Sequence, residues 1–379
     1  MPTDDAVERE RQGAGTPGTD VTKDGLRGVR PDREAVTGVT TGRPRGGRGR
    51  RRRGGETPQV PDATFTSYYA EPVINKPVWE APDIPGYLFL GGLAGAASLL
   101  GAGAQRTGRR RLERSSKVGA VAAGFLSLVG LVHDLGRPQR FLNMLRVFKV
   151  TSPMSVGSWL LAGYIPVAGA AAASAVTGRA PRAGAAATVA AATLGPAVAS
   201  YTAALISDTA VPAWHDGYRE MPFVFVGSGA TAAGGLGLLT APVAETGPAR
   251  ALALAGTALE LATFERMERR LGMVGEVYSQ GRGGAYVRAG TLLSVAGVVG
   301  AVLGRRSRVA SAVCGAAMLA ASAATRWGVF HAGMQSADDP KYTVVPQRQR
   351  LEQGEPATGT STTTRTPAAT TAPSEAAEA

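Results

Sequence analysis

The chain of 379 residues has three histidines, His133, His215 and His331, and two of its aspartates stand where apolar runs end, in His133-Asp134 and Ser207-Asp208. An imidazole beside a carboxylate can take up and return protons near neutral pH. Other chemistries find no support. There is no metal-hydrolase spacing and no nucleophile elbow, and the single cysteine, Cys314, permits neither an internal disulfide nor an iron–sulfur cluster held by this chain. A b-type haem needs two axial ligands at a common depth, which three histidines at run edges or in a loop do not supply, so no haem is expected. The plain alternative is that these His and Asp residues simply mark helix ends.

What positions them is a series of long apolar runs. The overall composition hides this, because mean hydropathy is near zero. Residues 1–64 are rich in Arg, Gly, Asp, Thr and Pro, and 352–379 in Thr, Ala, Pro and Glu; both compositions predict disordered tails. Between them, eight stretches near 86–104, 118–135, 155–177, 185–206, 222–243, 248–264, 289–304 and 309–325 compare with the roughly 17–25 residues that cross a bilayer. The expected fold is an all-α integral membrane protein of about eight transmembrane helices in a cell membrane, with the helical domain over 86–335. A Pro- and aromatic-rich approach segment over 65–85 precedes it and a membrane-edge extension over 336–351 follows. Arg288 and Arg305 bracket the seventh run, Arg308 and Arg326 the eighth. Arginine can snorkel from such positions, which leaves a six-helix core with a re-entrant hairpin as the alternative.

The net charge of +12 owes much to the run from Arg43 to Arg53. Beside a membrane domain such a run is better matched to anionic headgroups than to nucleic acid, which is not an expected partner. Glycines within the runs have no preceding strand and a small-xxx-small spacing, so they predict close helix packing and not a nucleotide loop. Pro166 and Pro196 predict kinks. In an up-and-down chain the ends of even-numbered spans share one face. All three histidines, Asp134 and Asp208 therefore fall on the side of the termini. The loop from Gln105 to Lys117 is the most basic and is expected to be cytoplasmic, with both termini outside.

Four stretches carry a family resemblance: Gly86-Tyr87-Leu88-Phe89-Leu90-Gly91-Gly92; Asp134-Leu135-Gly136-Arg137-Pro138 with Arg140-Phe141; Ser152-Pro153-Met154-Ser155-Val156-Gly157-Ser158-Trp159; and Tyr201-Thr202 through Ser207-Asp208 to Pro212-Ala213-Trp214. Over about 68–350 the chain resembles the NrfD-type membrane subunits of polysulfide reductase and related complexes. The resemblance implies a haem-free anchor that exchanges electrons between a quinone, menaquinone being the expected species, and a four-iron-cluster ferredoxin-like subunit. That subunit would in turn be bound to a molybdopterin-type catalytic subunit. It implies that Tyr201 hydrogen-bonds the quinone, and no other residue role is carried over. A quinone site also needs a proton route, for which His133, Asp134 and Asp208 at the run ends are the candidate relays. Loops bearing Arg137, Arg140, Trp159 and Trp214 are the candidate docking surface. The Asn and His pair that some members carry in the first helix is absent from Gly86–Gly92.

Two other functions fit a polytopic chain: an ion or solute transporter, whose expected inverted repeat is not evident, and a structural anchor without quinone chemistry. The haem expectation is directly testable. A reduced-minus-oxidised spectrum of the purified subunit should show no α-band, and a stoichiometric b-type signal lost on mutating His133 or His331 would overturn it.

Overall fold

A computed structural model describes residues 72–134 and 143–352. The expectations for the two tails, Arg137 and Arg140 lie outside these residues. Among the described residues there are eight long helices: α1 (Asp83–Arg106), α2 (Arg110–Asp134), α3 (Pro153–Thr177), α4 (Pro181–Ser207), α5 (Met221–Thr240), α6 (Gly247–Leu271), α7 (Gly281–Leu303) and α8 (Arg308–Asp338). A short α9 (Lys341–Glu352) follows. Seven of the eight are long and apolar enough to cross a membrane. The exception is α6, whose 25 residues suffice in length but whose hydropathy is lowered by Arg250, Glu260 and its charged C-terminal turn. The chain is an all-α multi-pass membrane protein.

Local chemistry sets the helix boundaries. Ser152 caps α3, accepting from the Ser155 amide at 3.4 Å, and Pro153 occupies the first helical position, where its missing N–H costs nothing. Gly178, left-handed at φ 70°, ends the same helix. Ser307 caps α8 in the same way as Ser152.

The last two runs form complete helices of 23 and 31 residues, both long and apolar enough to cross, as expected for the eight-span reading and unlike its re-entrant alternative. One expectation about them is corrected. Arg326 does not bracket α8 at the interface: the helix continues to Asp338, and Arg326 is completely buried inside the bundle.

Lipid tails are as apolar as leucine, so helices in a membrane associate through close packing and interhelical hydrogen bonds more than through water exclusion. This bundle relies heavily on close packing. A Cβ at Gly95 of α1 would fall 2.2 Å from the Gly195 carbonyl oxygen of α4, and one at Gly195 would fall 2.4 Å from that of Gly95. The two backbones are in direct contact. Helix α5, the most central, meets α6 in the same manner at Gly227 and Gly256, and α8 at Gly235 and Gly315.

Polar contacts sort the loops onto two faces. On one, Glu245 accepts from the amides of Arg111 and Leu112 at 2.8 and 2.9 Å, satisfying free donors at the start of α2. Arg308 there donates to the Leu238 carbonyl at 2.7 Å. The clusters Arg109-Arg110-Arg111, Arg179 with Arg182, and Arg305-Arg306-Arg308 all emerge on this face, against Glu113 and Glu245. The opposite face mixes signs in ion pairs such as Lys76 with Asp338, Arg270 with Glu220 and Lys341 with Glu276. Basic residues stand on both faces, but only the first has them with few acids among them, and it is the face expected in the cytoplasm. In a Cys314→Ala background, Thr107→Cys should be labelled by an impermeant maleimide only from the cytoplasmic side and Ser279→Cys only from the other. Labelling of both from one side would contradict this arrangement.

Candidate functional site

Helices α1 and α4 run antiparallel and touch at Gly95 and Gly195. Towards the less basic face, Tyr87 lies eight residues from that contact and Tyr201 six. At 1.5 Å per residue the two phenols stand about 12 and about 9 Å along, at nearly matching depth. They meet there. The Tyr87 and Tyr201 hydroxyls are hydrogen-bonded, with ring centroids 6.5 Å apart in an edge arrangement at 74°. Gly157 of α3 makes room for the Tyr201 ring, since a Cβ there would come 2.3 Å from Cε2. Ser127 of α2 donates to the Tyr87 carbonyl at 3.1 Å and closes the site from the fourth helix.

Both phenols are buried, Tyr87 at 2% exposure and Tyr201 at 8%, so Tyr201 is the slightly less enclosed residue. A phenol has one O–H to donate. Within the pair one proton is shared between the oxygens, and the second has no acceptor among the described residues. A buried donor left over in this way is uncommon and calls for an explanation. On the same helix as Tyr201, the hydroxyls of Thr202 and Ser207 are buried and also without a partner.

The predicted relay residues divide. His133, at the end of α2, donates from Nδ1 to the Asp83 carboxylate of α1 at 2.6 Å, and its ring is largely exposed. Asp83 is one turn from Tyr87 on α1, so the His133–Asp83 pair and the phenol pair share a helix face. Asp134 adjoins His133. Asp208 caps α4 two turns beyond Tyr201 and is exposed. His215 lies on the single helical turn Pro212–His215, with Nδ1 3.2 Å from the Ser207 carbonyl oxygen. His331 stacks on Tyr286, centroids 5.6 Å apart, away from the phenols.

Of the docking candidates, Trp159 is 43% exposed and packs edge-on against the exposed Phe148, centroids 6.2 Å apart. Trp214 is placed differently from the expected docking surface. It has no exposed area, donates from Nε1 to the Val329 carbonyl at 2.8 Å, and is sandwiched between Trp79 and Phe330. Its indole lies flat on Gly333, where a Cβ would fall 1.9 Å away. Its place is a joint between the approach segment, α8 and the turn after α4.

Outside the spans, Glu220 anchors the start of α5. Arg270 grips its carboxyl at 2.9 and 3.0 Å through Nε, and this pairing holds the carboxyl below the usual carboxylate range, with Arg266 assisting. A carboxyl lowered in this way stabilises the fold above its unfolded-state pKa, and that contribution is lost as the pH falls through the folded value.

Sequence reasoning missed Tyr87 and Asp83 as chemistry and missed Glu260 entirely. The spacing of four between Asp83 and Tyr87 was a usable signal for a shared face. Glu260, a carboxylate amid the apolar run 248–264, is the kind of intramembrane ionisable group that asks for a function.

Fold and site together define a polytopic helical membrane protein with a buried phenol pair near one face and ionisable groups at its edge. Residues 72–248, just under half of the chain, match the model of the family described as "Polysulphide reductase, NrfD". The match bears out the resemblance to NrfD-type membrane subunits, and it points to a membrane subunit of a respiratory oxidoreductase complex. It takes in α1 to α5, with both phenols, and stops at the start of α6. No curated protein matches the chain.

Proposed function

We propose that the chain is the membrane anchor of a redox complex and that it exchanges electrons between a partner's iron–sulfur cluster and a quinone at the Tyr87–Tyr201 edge. The observation that carries this reading is the unclaimed phenolic proton at the less enclosed end of a buried pair. Tyr201, flanked by the unpartnered Thr202 and Ser207 hydroxyls, would hold a quinone carbonyl. The quinone, when bound, supplies the two-electron, two-proton chemistry.

The chain's own residues do the rest. Tyr201 orients the carbonyl by donating its proton, and Tyr87 fixes the rotation of that hydroxyl by bonding to its oxygen. Ser127 and Gly157 hold the two rings in place. At the surface His133, paired with Asp83, exchanges protons with water one helical turn from Tyr87, with Asp134 and Asp208 as further acceptors on the same face. The clusters belong to a four-iron ferredoxin-like partner, itself joined to a molybdopterin-type subunit, because one cysteine cannot ligate them here. The exposed pair of Phe148 and Trp159, beside Arg146 and Lys149, offers that partner an apolar and basic surface.

Tyr201→Phe keeps the ring against Gly157 and deletes one hydrogen bond. A neutral hydrogen bond contributes about 0.5–1.5 kcal/mol, and more where charge develops on the acceptor. At 1.36 kcal/mol per tenfold change in rate, the variant should assemble normally yet lose at least about several-fold in quinone-coupled turnover. Activity of the partner with an artificial dye should not change. Unaltered quinone kinetics in a fully assembled Tyr201→Phe complex would refute the assignment.

A further inference from the structure

A second polar centre lies deeper, between α6 and α8, and the quinone reading makes no use of it. Glu260 stands near the middle of α6 at 4% exposure, and Arg326 of α8 has none. The guanidinium is tied down on one side. Nη2 donates to the Phe225 carbonyl at 2.7 Å and Nε reaches the Leu88 carbonyl at 3.4 Å. Its plane covers the Phe225 ring at 3.8 Å, and the missing side chain of Gly92 leaves room for Nη2. The carboxylate is tied on the other side, where Oε1 accepts from Thr325 Oγ1 at 2.8 Å.

Each group keeps one atom without a partner: Nη1 of Arg326 and Oε2 of Glu260. The two residues feel each other's field, yet no nitrogen of the arginine comes within 4.0 Å of a carboxylate oxygen. Buried charges with open hydrogen-bonding positions are costly, and a direct ion pair would satisfy both at once. Here the tethers to Phe225, Leu88 and Thr325 hold the pair apart.

A molecule that completes this centre must accept from Nη1 and donate to Oε2. A cation is repelled by the guanidinium and an anion by the carboxylate. Water does both jobs and carries no charge. Close by, the Ser228 and Ser322 hydroxyls are hydrogen-bonded 2.9 Å apart and buried, and Ser228 also lies within reach of the Glu260 carboxyl, to which it turns the pair's second proton. A buried water needs two to four polar partners, and Nη1 and Oε2 supply two. We propose that a resident water molecule bridges Arg326 and Glu260 inside the membrane domain, completing an ion pair that ties α6 and α8 to α1 and α5.

Hydroxyl-radical footprinting of the full chain in lipid nanodiscs tests this, because radiolysis of a bound water labels its neighbours whether or not bulk solvent reaches them. Phe225, fully buried and stacked on the guanidinium, is the reporter. It should be oxidised in the wild type several-fold faster than in the Glu260→Leu, Arg326→Met double variant. Equal rates, or an unlabelled Phe225 in the wild type, would overturn the proposal. Should the double variant not fold, a map of the wild type that resolves ordered water decides the matter. Density within hydrogen-bond reach of both Nη1 and Oε2 supports the bridge, while a direct guanidinium–carboxylate contact or an empty gap refutes it.

Discussion

The contact between Gly95 and Gly195 fixes the geometry of everything nearby. Two backbones in van der Waals contact allow neither sliding nor rotation without a clash, and antiparallel helices leaving such a contact keep their residues at matched depth. Tyr87 and Tyr201 depend on that match. Any side chain at position 95 would strike the carbonyl of residue 195 and separate the phenols. Pro196, next to the contact, removes one donor from the hydrogen-bond ladder of α4.

With the helices this close, the polar groups between them become strong determinants of arrangement. Inside a membrane an unmet donor finds no water, so a buried hydroxyl is best placed against a carbonyl or another hydroxyl. Tyr164 shows the rule fulfilled: its hydroxyl donates to the Ala94 carbonyl at 2.6 Å and accepts from Ser98 at 2.7 Å. The Tyr87–Tyr201 pair departs from it, with one proton more than its acceptors. The proposed function rests on that excess. The place of the phenol pair near the less basic face puts it, the His133–Asp83 pair and the exposed Trp159 surface on one side of the membrane.

Much of this was legible in the residues. Apolar runs of sufficient length give the helices, and Ser152-Pro153 gives the start of α3, because spanning length and capping are local properties. Arg326 was misread because a charge at the end of an apolar run ordinarily marks an interface. Only the carbonyls of Phe225 and Leu88, contributed by other helices, reveal why the charge lies inside. Trp214 was misread for a related reason. A tryptophan in a connecting segment reads as surface until Gly333, more than a hundred residues away, is seen to make a flat seat for it. The motif carrying Tyr201 pointed to a hydroxyl with a role, but its partner Tyr87 depends on a helix crossing that no spacing within one helix encodes. Glu260 carried a sufficient signal in its own run and could have been found.

The central claim is that this membrane domain passes electrons between a quinone and a partner's iron–sulfur clusters at the phenol pair. Electron paramagnetic resonance of the purified complex, frozen after anaerobic addition of a menaquinol analogue, tests it most directly. The account predicts that reduced-cluster signals of the partner appear in the wild type and are strongly slowed in the Tyr201→Phe complex. Clusters that remain oxidised with quinol, and that after reduction by dithionite are not reoxidised by added quinone, would contradict it.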